Sequence, residues 1–134
     1  MIYVFLANGF EEVEALTPVD MLRRCELEVI TVGVGGDSVI GSHNIPVLTN
    51  ITDSQIVLDD SVDMIVLPGG MPGTLNLEKN ANVQRAIDFC VENNMRQSVP
   101  FSRVSPLLST TSLADVSPKI FTRPSSLPVT RPSA

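Results

Sequence analysis

Short runs of hydrophobic residues alternate with stretches of helical spacing through the first 94 residues. The apolar runs at residues 2–7, 28–34 and 62–67 are each followed by Asn, Gly or Pro. Runs of this kind, bounded by turn residues, are typical of strands that are buried on both faces of a parallel sheet. The pattern therefore predicts three parallel strands at these positions.

Two stretches have the spacing of helices that cover one face of a sheet. In residues 10–24, glutamates occupy the first turns, where the helix dipole favours negative charge. Pro18 falls inside this pattern and predicts a kink or break near residues 16–17. The side chains that should face the sheet are Leu16, Val19 and Leu22. In the second helix, residues 81–93, the apolar positions are Val83, Ala86, Ile87 and Cys90.

The segment between the second and third strands predicts a small hairpin. Residues 38–41 and 45–48 are its two arms, Ser42, His43 and Asn44 are its tip, and a polar connection follows over residues 50–61. Strands that alternate with helices form βαβ units with right-handed crossovers. The predicted fold class is therefore α/β, the amino-terminal part of a doubly wound parallel sheet.

The composition changes sharply near Asn94. Residues 95–134 hold nine Ser, six Pro and four Thr, nineteen of forty residues, and no Gly. Prolines recur too often there for a helix or a central strand, and no further buried strand is expected after Asn94. We therefore divide the chain into a domain at residues 1–94 and an irregular or disordered tail at residues 95–134.

The charge of the chain bears on its partners and its compartment. The formal net charge is −6, which argues against general nucleic-acid binding. No targeting segment and no run long enough to span a membrane is evident, so no membrane partner is expected. Two cysteines in an acidic α/β chain fit a reducing compartment, and we expect a cytoplasmic location.

The end of the third predicted strand is the first candidate site. Leu67-Pro68-Gly69-Gly70 follows the apolar run directly, and its glycines expose bare backbone. In open α/β sheets, ligands bind outside the carboxyl ends of the strands. Free N–H groups in that place suit an anion or a developing oxyanion. A plain strand-to-helix turn explains the motif alone equally well.

Residues 1–94 also resemble a known family. The resemblance lies in Phe-Leu-Ala-Asn-Gly-Phe-Glu-Glu-Val-Glu at residues 5–14, Pro-Val-Asp at 18–20, Arg-Arg at 23–24 and Leu-Pro-Gly-Gly at 67–70. These motifs, in this order and spacing, resemble the ThiJ/PfpI family, the superfamily of the Parkinsonism-associated deglycase. The resemblance implies a flavodoxin-like α/β sandwich, akin to the class I glutamine amidotransferases, that assembles as a homodimer.

The resemblance also implies a chemistry. Family members carry a reactive cysteine on a tight strand-to-helix elbow, and a glutamate of the first helix hydrogen-bonds it. By resemblance that glutamate is Glu14, while Gly69 and Gly70 supply N–H groups to the substrate oxygen. The implied activities are deglycase or glyoxalase chemistry on small carbonyl substrates such as 2-oxoaldehydes, chaperone-like holding and, in some members, peptidase activity or a thiamine-biosynthesis label. No cofactor is expected.

The chain departs from the family pattern after Asn94. Residues 95–134 contain no cysteine, no elbow motif and no histidine. Thiol-dependent catalysis is therefore not expected of the chain as written, and the tail has the character of an out-of-frame or rearranged reading. A chaperone-like or other non-catalytic binding module and a non-functional truncated gene product are the alternatives to an enzyme.

The remaining chemical side chains have simpler interpretations. Cys90 lies on an apolar helical stripe and is expected to pack in the core, and Cys25 has no base near it in sequence. His43 is expected at the surface of the hairpin tip. No group of His, Cys or carboxylates has metal-ligand spacing, so no metal is expected. Without the resemblance, Glu14 would be a first-turn carboxylate that interacts with the helix dipole.

Overall fold

The computed structural model of the chain describes residues 1–98. The tail predicted at residues 95–134 therefore lies, from residue 99 onward, outside the described residues. The elements are β1 (Ile2–Leu6), α1 (Glu12–Arg24), β2 (Val29–Gly33), β3 (Ser38–Ile40), β4 (Pro46–Leu48), β5 (Ile51–Thr52), a short 3-10 helix (Asp53–Gln55), β6 (Met64–Val66), α2 (Gly73–Lys79), α3 (Ala81–Glu92) and β7 (Arg96–Ser98).

Five of the strands form one parallel sheet in the order β5-β2-β1-β6-β7. The central strand β1 pairs with β2 and β6, so that Tyr3 lies between Ile30 and Ile65. All five residues of β1 are buried, as expected for a strand with a neighbour on each side and helices on each face. The predicted α/β class with a parallel sheet is confirmed.

Two hydrophobic cores lie on the opposite faces of this sheet. Successive side chains of a strand point to opposite faces. Accordingly Tyr3 and Phe5 belong to one core and Val4 and Leu6 to the other. The first core contains the apolar stripe of α3, with Val83, Ala86 and Cys90. The second contains Ala15 and Val19 of α1. The sheet is thus covered on both faces, as a doubly wound fold requires.

Helix α1 corrects one prediction. It runs from Glu12 to Arg24 as one helix with Pro18 inside it, so of the expected kink or break near residues 16–17 the break is absent, and the kink stays a prediction. A proline inside a helix removes one hydrogen bond, at a cost of about 3 kcal/mol. Ala15 and Val19, on either side of the proline, are both buried against the sheet, and their packing offsets that cost. Leu16, expected to face the sheet, is only half-buried.

The predicted hairpin is confirmed, because β3 and β4 pair in antiparallel register with Val39 opposite Val47. Three short elements were not predicted: strand β5, the 3-10 helix that follows it, and helix α2. Strand β5 has only two residues inside the polar connection, and it pairs with Val32 and Gly33 of β2. Helix α2 begins at Gly73 directly after Pro72, and both residue types normally interrupt a helical pattern.

Strand β7 corrects a second prediction. Residues Arg96–Ser98 pair in parallel with β6, so that Met64 lies opposite Arg96 and Val66 opposite Ser98. The sheet therefore continues after Asn94, where no strand was expected. The pairing is made by backbone groups, to which polar residue types are no obstacle. The division of the chain into domain and tail near Asn94 stays a prediction, although the sheet reaches residue 98.

None of the helices within residues 1–98 has the length and apolar character that a membrane crossing requires.

Candidate functional site at the end of strand β6

The loop after β6 lies directly against the turn that precedes α1. Gly70 has a φ of +105°, a conformation that favours glycine. A Cβ atom at this position would lie 2.5 Å from the backbone nitrogen of Glu11 and from the carbonyl oxygen of Gly9. A side chain at Gly70 would therefore separate the two segments. The glycine pair permits the close backbone contact on which this site is built.

Glu14 and Gly69 are joined by a direct hydrogen bond. The backbone N–H of Gly69 donates to Oε2 of Glu14 at 2.8 Å, across 55 residues of sequence. The carbonyl oxygen of Gly69 also accepts from the backbone N–H of Glu11 at 2.8 Å. The peptide groups of Gly69 thus contact the start of α1 twice. Gly69 is buried and Glu14 is exposed, so the carboxylate lies where the site opens to solvent.

This contact changes the expected role of Gly69. Its N–H group was expected to hold a substrate oxygen, but in this structure it is engaged by Glu14. A substrate oxygen at Gly69 would have to share or replace the carboxylate as acceptor. The two predicted site residues are nevertheless brought together, with the half-buried Gly70 next in the chain.

A second polar cluster lies beside this site, where the tip of the β3–β4 hairpin meets the first turn of α1. Oε1 of Glu12 accepts from the backbone N–H of His43 at 2.7 Å. Oε2 of Glu12 lies 2.8 Å from Nδ1 of His43 and accepts from the Ser42 hydroxyl at 3.2 Å. The Ser42 hydroxyl also lies 3.0 Å from Oε2 of Glu11. Both oxygens of a buried carboxylate are therefore satisfied by the hairpin tip.

The cluster shifts the pKa of both ionisable partners. Burial by itself would raise the pKa of the Glu12 carboxyl, because it removes water from the charged form. Hydrogen bonds from the His43 ring, from two backbone N–H groups and from Ser42 outweigh burial and lower this pKa from 4.5 to about 2. The hydrogen bond to Glu12 and the negative charges of Glu11 and Glu12 raise the pKa of His43 above 6.5.

His43 therefore differs from the prediction in part. Its side chain is 68% exposed, as expected at a hairpin tip, but its ring nitrogen and backbone bind Glu12. The sequence shows no metal-ligand spacing, and the expectation that the chain holds no metal stays a prediction. Ligand atoms of Glu11, Glu12 and His43 lie within 4.8 Å of one another, an oxygen and nitrogen set that could hold a divalent ion such as zinc.

Glu12 is the site residue that sequence reasoning missed, although one signal was readable. The buried residues of α1 are Glu12, Ala15 and Val19, which share one helical face. A carboxylate on an otherwise apolar stripe must find partners when it is buried. The partners themselves could not be read from the sequence, because they lie about 30 residues away on the hairpin.

Neither cysteine of the sequence lies at the Glu14–Gly69 pair. Cys25 is the exposed residue that ends α1, eleven residues after Glu14, which is about 16 Å along a helix axis. Cys90, on the buried face of α3, packs in the core as predicted, and burial raises the pKa of its thiol. A thiolate nucleophile needs an accessible position and a lowered pKa. Cys90 has neither, and Cys25 is too far from Glu14.

The sequence is similar to a known family and to several of its members. A profile of the DJ-1/PfpI family matches residues 1–98. Protein dj-1beta of Drosophila melanogaster is 38% identical over 72 residues, which cover 53% of this chain and 38% of that protein. The Parkinson disease protein 7 homolog of Danio rerio is 31% identical over 85 residues, which cover 63% of this chain and 45% of that protein.

Solved structures agree with the sequence relatives. A DJ-1 superfamily protein from Salmonella typhimurium superposes with a TM-score of 0.67 at 33% identity, over 72% of this chain and 52% of that one. DJ-1beta of Drosophila melanogaster gives a TM-score of 0.67 at 29% identity, with the same coverage. The chain thus spans 38–52% of the length of these four relatives. Because the family profile covers 98 of the 134 residues, the chain belongs to the DJ-1/PfpI family.

Proposed function

We propose that the described domain binds small 2-oxoaldehydes, or their adducts, at Glu14, Gly69 and Gly70. The observation that carries this proposal is the 2.8 Å hydrogen bond between the Gly69 N–H and Oε2 of Glu14, at the carboxyl end of β6. Deglycase or glyoxalase chemistry, a cytoplasmic location and a homodimer also remain proposals, and these three rest on the family resemblance.

The chemistry of the pair suits such a ligand. A hydrated 2-oxoaldehyde offers hydroxyl donors, which a carboxylate accepts, and a ketone oxygen, which a backbone N–H group can bind. Glu14 would accept the hydroxyl groups, while the Gly69 amide, released from Glu14 or shared with it, would donate to the ketone oxygen. The exposed position of Glu14 gives the ligand access from solvent.

We further propose that the chain as given binds these ligands without thiol-dependent turnover. The two cysteines of the sequence are Cys25, at the far end of α1, and Cys90, in the core. A carboxylate and backbone donors can bind a carbonyl compound, but covalent catalysis on it needs a nucleophile within bonding reach. Neither thiol has that reach from Glu14.

Two assays with methylglyoxal test the proposal. Calorimetric titration should detect binding to the wild-type chain, at least a tenfold weaker affinity in Glu14→Ala, and no change in Glu28→Ala, an exposed control. Consumption of methylglyoxal by the wild-type chain and by Cys25→Ser should not differ. Equal affinities of the wild type and Glu14→Ala would contradict the binding site, and turnover lost in Cys25→Ser would contradict the second part.

A chaperone-like holding function is the second candidate, and exposed apolar side chains favour it. Leu48 on β4 is 79% exposed and Val13 on α1 is 69% exposed. Exposed apolar surface is what a holding protein offers to unfolding clients. This function predicts that the chain suppresses aggregation of a heated client protein, that Leu48→Ser weakens the suppression, and that Glu14→Ala leaves it unchanged. Equal suppression by Leu48→Ser and the wild type would contradict it.

A further inference from the structure

Glu12 has no place in the binding chemistry proposed above, yet it is the most heavily engaged carboxylate of α1. Glu12 is only 6% exposed, and its hydrogen-bond partners are Ser42 and His43 of the hairpin tip. Within the described residues, no buried side-chain nitrogen or oxygen lacks a hydrogen-bond partner, so Glu12 is satisfied without any further ligand. A buried carboxylate that is so fully bonded fixes the geometry of the elements that it joins.

The hairpin tip is shaped around this carboxylate. A Cβ atom at Gly41 would overlap the carboxyl group of Glu12, so a side chain there would displace it. The tip is also hydrogen-bonded to the turn before α1. The backbone N–H of Ser42 donates to the carbonyl oxygen of Phe10 at 2.7 Å, and the N–H of Gly9 donates to the carbonyl oxygen of Ile40 at 2.8 Å. Hairpin and turn therefore form one bonded unit.

The opposite side of the same turn contacts the glycine loop. The N–H of Glu11 donates to the carbonyl oxygen of Gly69 at 2.8 Å, and the N–H of Gly73 donates to the carbonyl oxygen of Gly9 at 3.2 Å. Residues 9–14 are thus hydrogen-bonded to the hairpin on one side and to the loop after β6 on the other. Movement of the turn on the hairpin side would be transmitted to the Glu14–Gly69 contact.

We propose that Glu12 is a positioning residue that fastens the hairpin tip to the start of α1 and thereby holds Glu14 against the amide of Gly69. When Glu12 and His43 are both ionised, their contact is charge-assisted and strongest. The charged or titratable groups that face the cluster are Glu11 and Glu12 from α1 and His43 from the hairpin. The positioning role of Glu12 rests on the contacts described here. Only the identity of the ligand at the Glu14–Gly69 pair rests on the proposed function.

Hydrogen exchange of the Gly69 amide tests this role without any ligand. At a pH below 6.5, where His43 carries its proton, Glu12→Gln should raise the exchange rate of the Gly69 amide about tenfold. The exchange rate of the Val4 amide in the central strand should stay unchanged, and Glu28→Gln should alter neither amide. His43→Asn, which removes the ring contact from the solvent-exposed side of the cluster, should reproduce the effect in part.

Three results would overturn the role. An unchanged Gly69 amide in Glu12→Gln would mean that the cluster does not support the pair. An equal rise at Gly69 and Val4 would mean that Glu12 stabilises the whole domain only. A loss of Gly69 protection in the wild type on addition of a chelator would mean that the cluster is a metal site. Failure of methylglyoxal binding, in contrast, would overturn the proposed function and leave the exchange result intact.

Discussion

The backbone N–H of Gly69 donates to the carboxylate of Glu14 across 2.8 Å, although 55 residues separate the two in sequence. One partner lies in the first turn of α1 and the other in the loop that follows β6. The contact joins two of the four motifs that carry the family resemblance, those at residues 5–14 and 67–70.

Removal of Glu14 should affect binding far more than folding. Glu14 is exposed, so water can replace the carboxylate at the Gly69 amide. We expect Glu14→Ala to lower the free energy of unfolding by no more than about 1 kcal/mol. Urea unfolding of the wild type and the variant measures this difference. A loss of several kcal/mol would mean that Glu14 is a structural residue.

Gly70 should tolerate no side chain. Its φ of +105° is strained for other residues, and a Cβ atom would meet backbone atoms of Glu11 and Gly9. Gly70→Ala should therefore lower the free energy of unfolding by about 2–5 kcal/mol. Gly36→Ala is the matched control, because the nearest atom to a Cβ there lies 4.0 Å away. Similar urea midpoints for the two variants would contradict the close contact at Gly70.

The Glu12–His43 pair predicts a pH dependence of stability with two limits. The pKa of Glu12 is lowered from 4.5 to about 2 in the folded chain, so its contribution is complete above pH 4.5 and is lost as pH falls toward 2. The pKa of His43 is raised above 6.5, so its contribution is complete below pH 6.5 and is lost as pH rises through the raised value.

The free energy of unfolding, measured in urea at a series of pH values, should therefore fall on either side of the interval from pH 4.5 to 6.5. His43→Asn should remove the decline on the alkaline side and keep the one on the acid side, which also involves Asp53 and Asp59. If the free energy of unfolding of His43→Asn still fell at alkaline pH as in the wild type, another group would be the cause of that fall.

Helix α3 should depend on its amino-terminal cap. The side chain of Asn80 accepts from the backbone N–H groups of Asn82 and Val83, at 2.9 and 3.0 Å, and donates to Asp53. Asn80→Ala should lower the free energy of unfolding by about 1–2 kcal/mol, as the loss of a helix cap does. Glu92→Ala, on an exposed position at the other end of α3, should have little effect. Equal thermal midpoints for Asn80→Ala and the wild type would contradict the cap.

The elements that could be predicted from the sequence are those whose burial repeats along the chain. Strand β1, with five buried residues, and helix α3, with Val83, Ala86 and Cys90 on one face, carry a strong local pattern. The elements that were missed depend on contacts made elsewhere. Strand β5 is two residues long, and β7 consists of polar residue types, so both depend on pairing with a neighbouring strand rather than on hydrophobic pattern.

The site shows the same distinction. Glu14, Gly69 and Gly70 were identified by resemblance, and the fold brings them together. Their direct hydrogen bond was not predicted, because it depends on how closely the loop after β6 approaches α1. The contact between Glu12 and His43 was missed because it joins residues 31 apart on a helix and a hairpin. Local periodicity carries no information on such contacts.

The most direct test of the binding site follows the backbone amides of Gly69 and Gly70 by nuclear magnetic resonance during a titration with methylglyoxal. Saturable shifts should appear at these two amides and at Glu14 in the wild type, persist in Glu28→Ala, and disappear in Glu14→Ala. Shifts that are absent from the glycine pair, or that persist unchanged in Glu14→Ala, would show that the carboxylate and the glycine pair do not form the binding site.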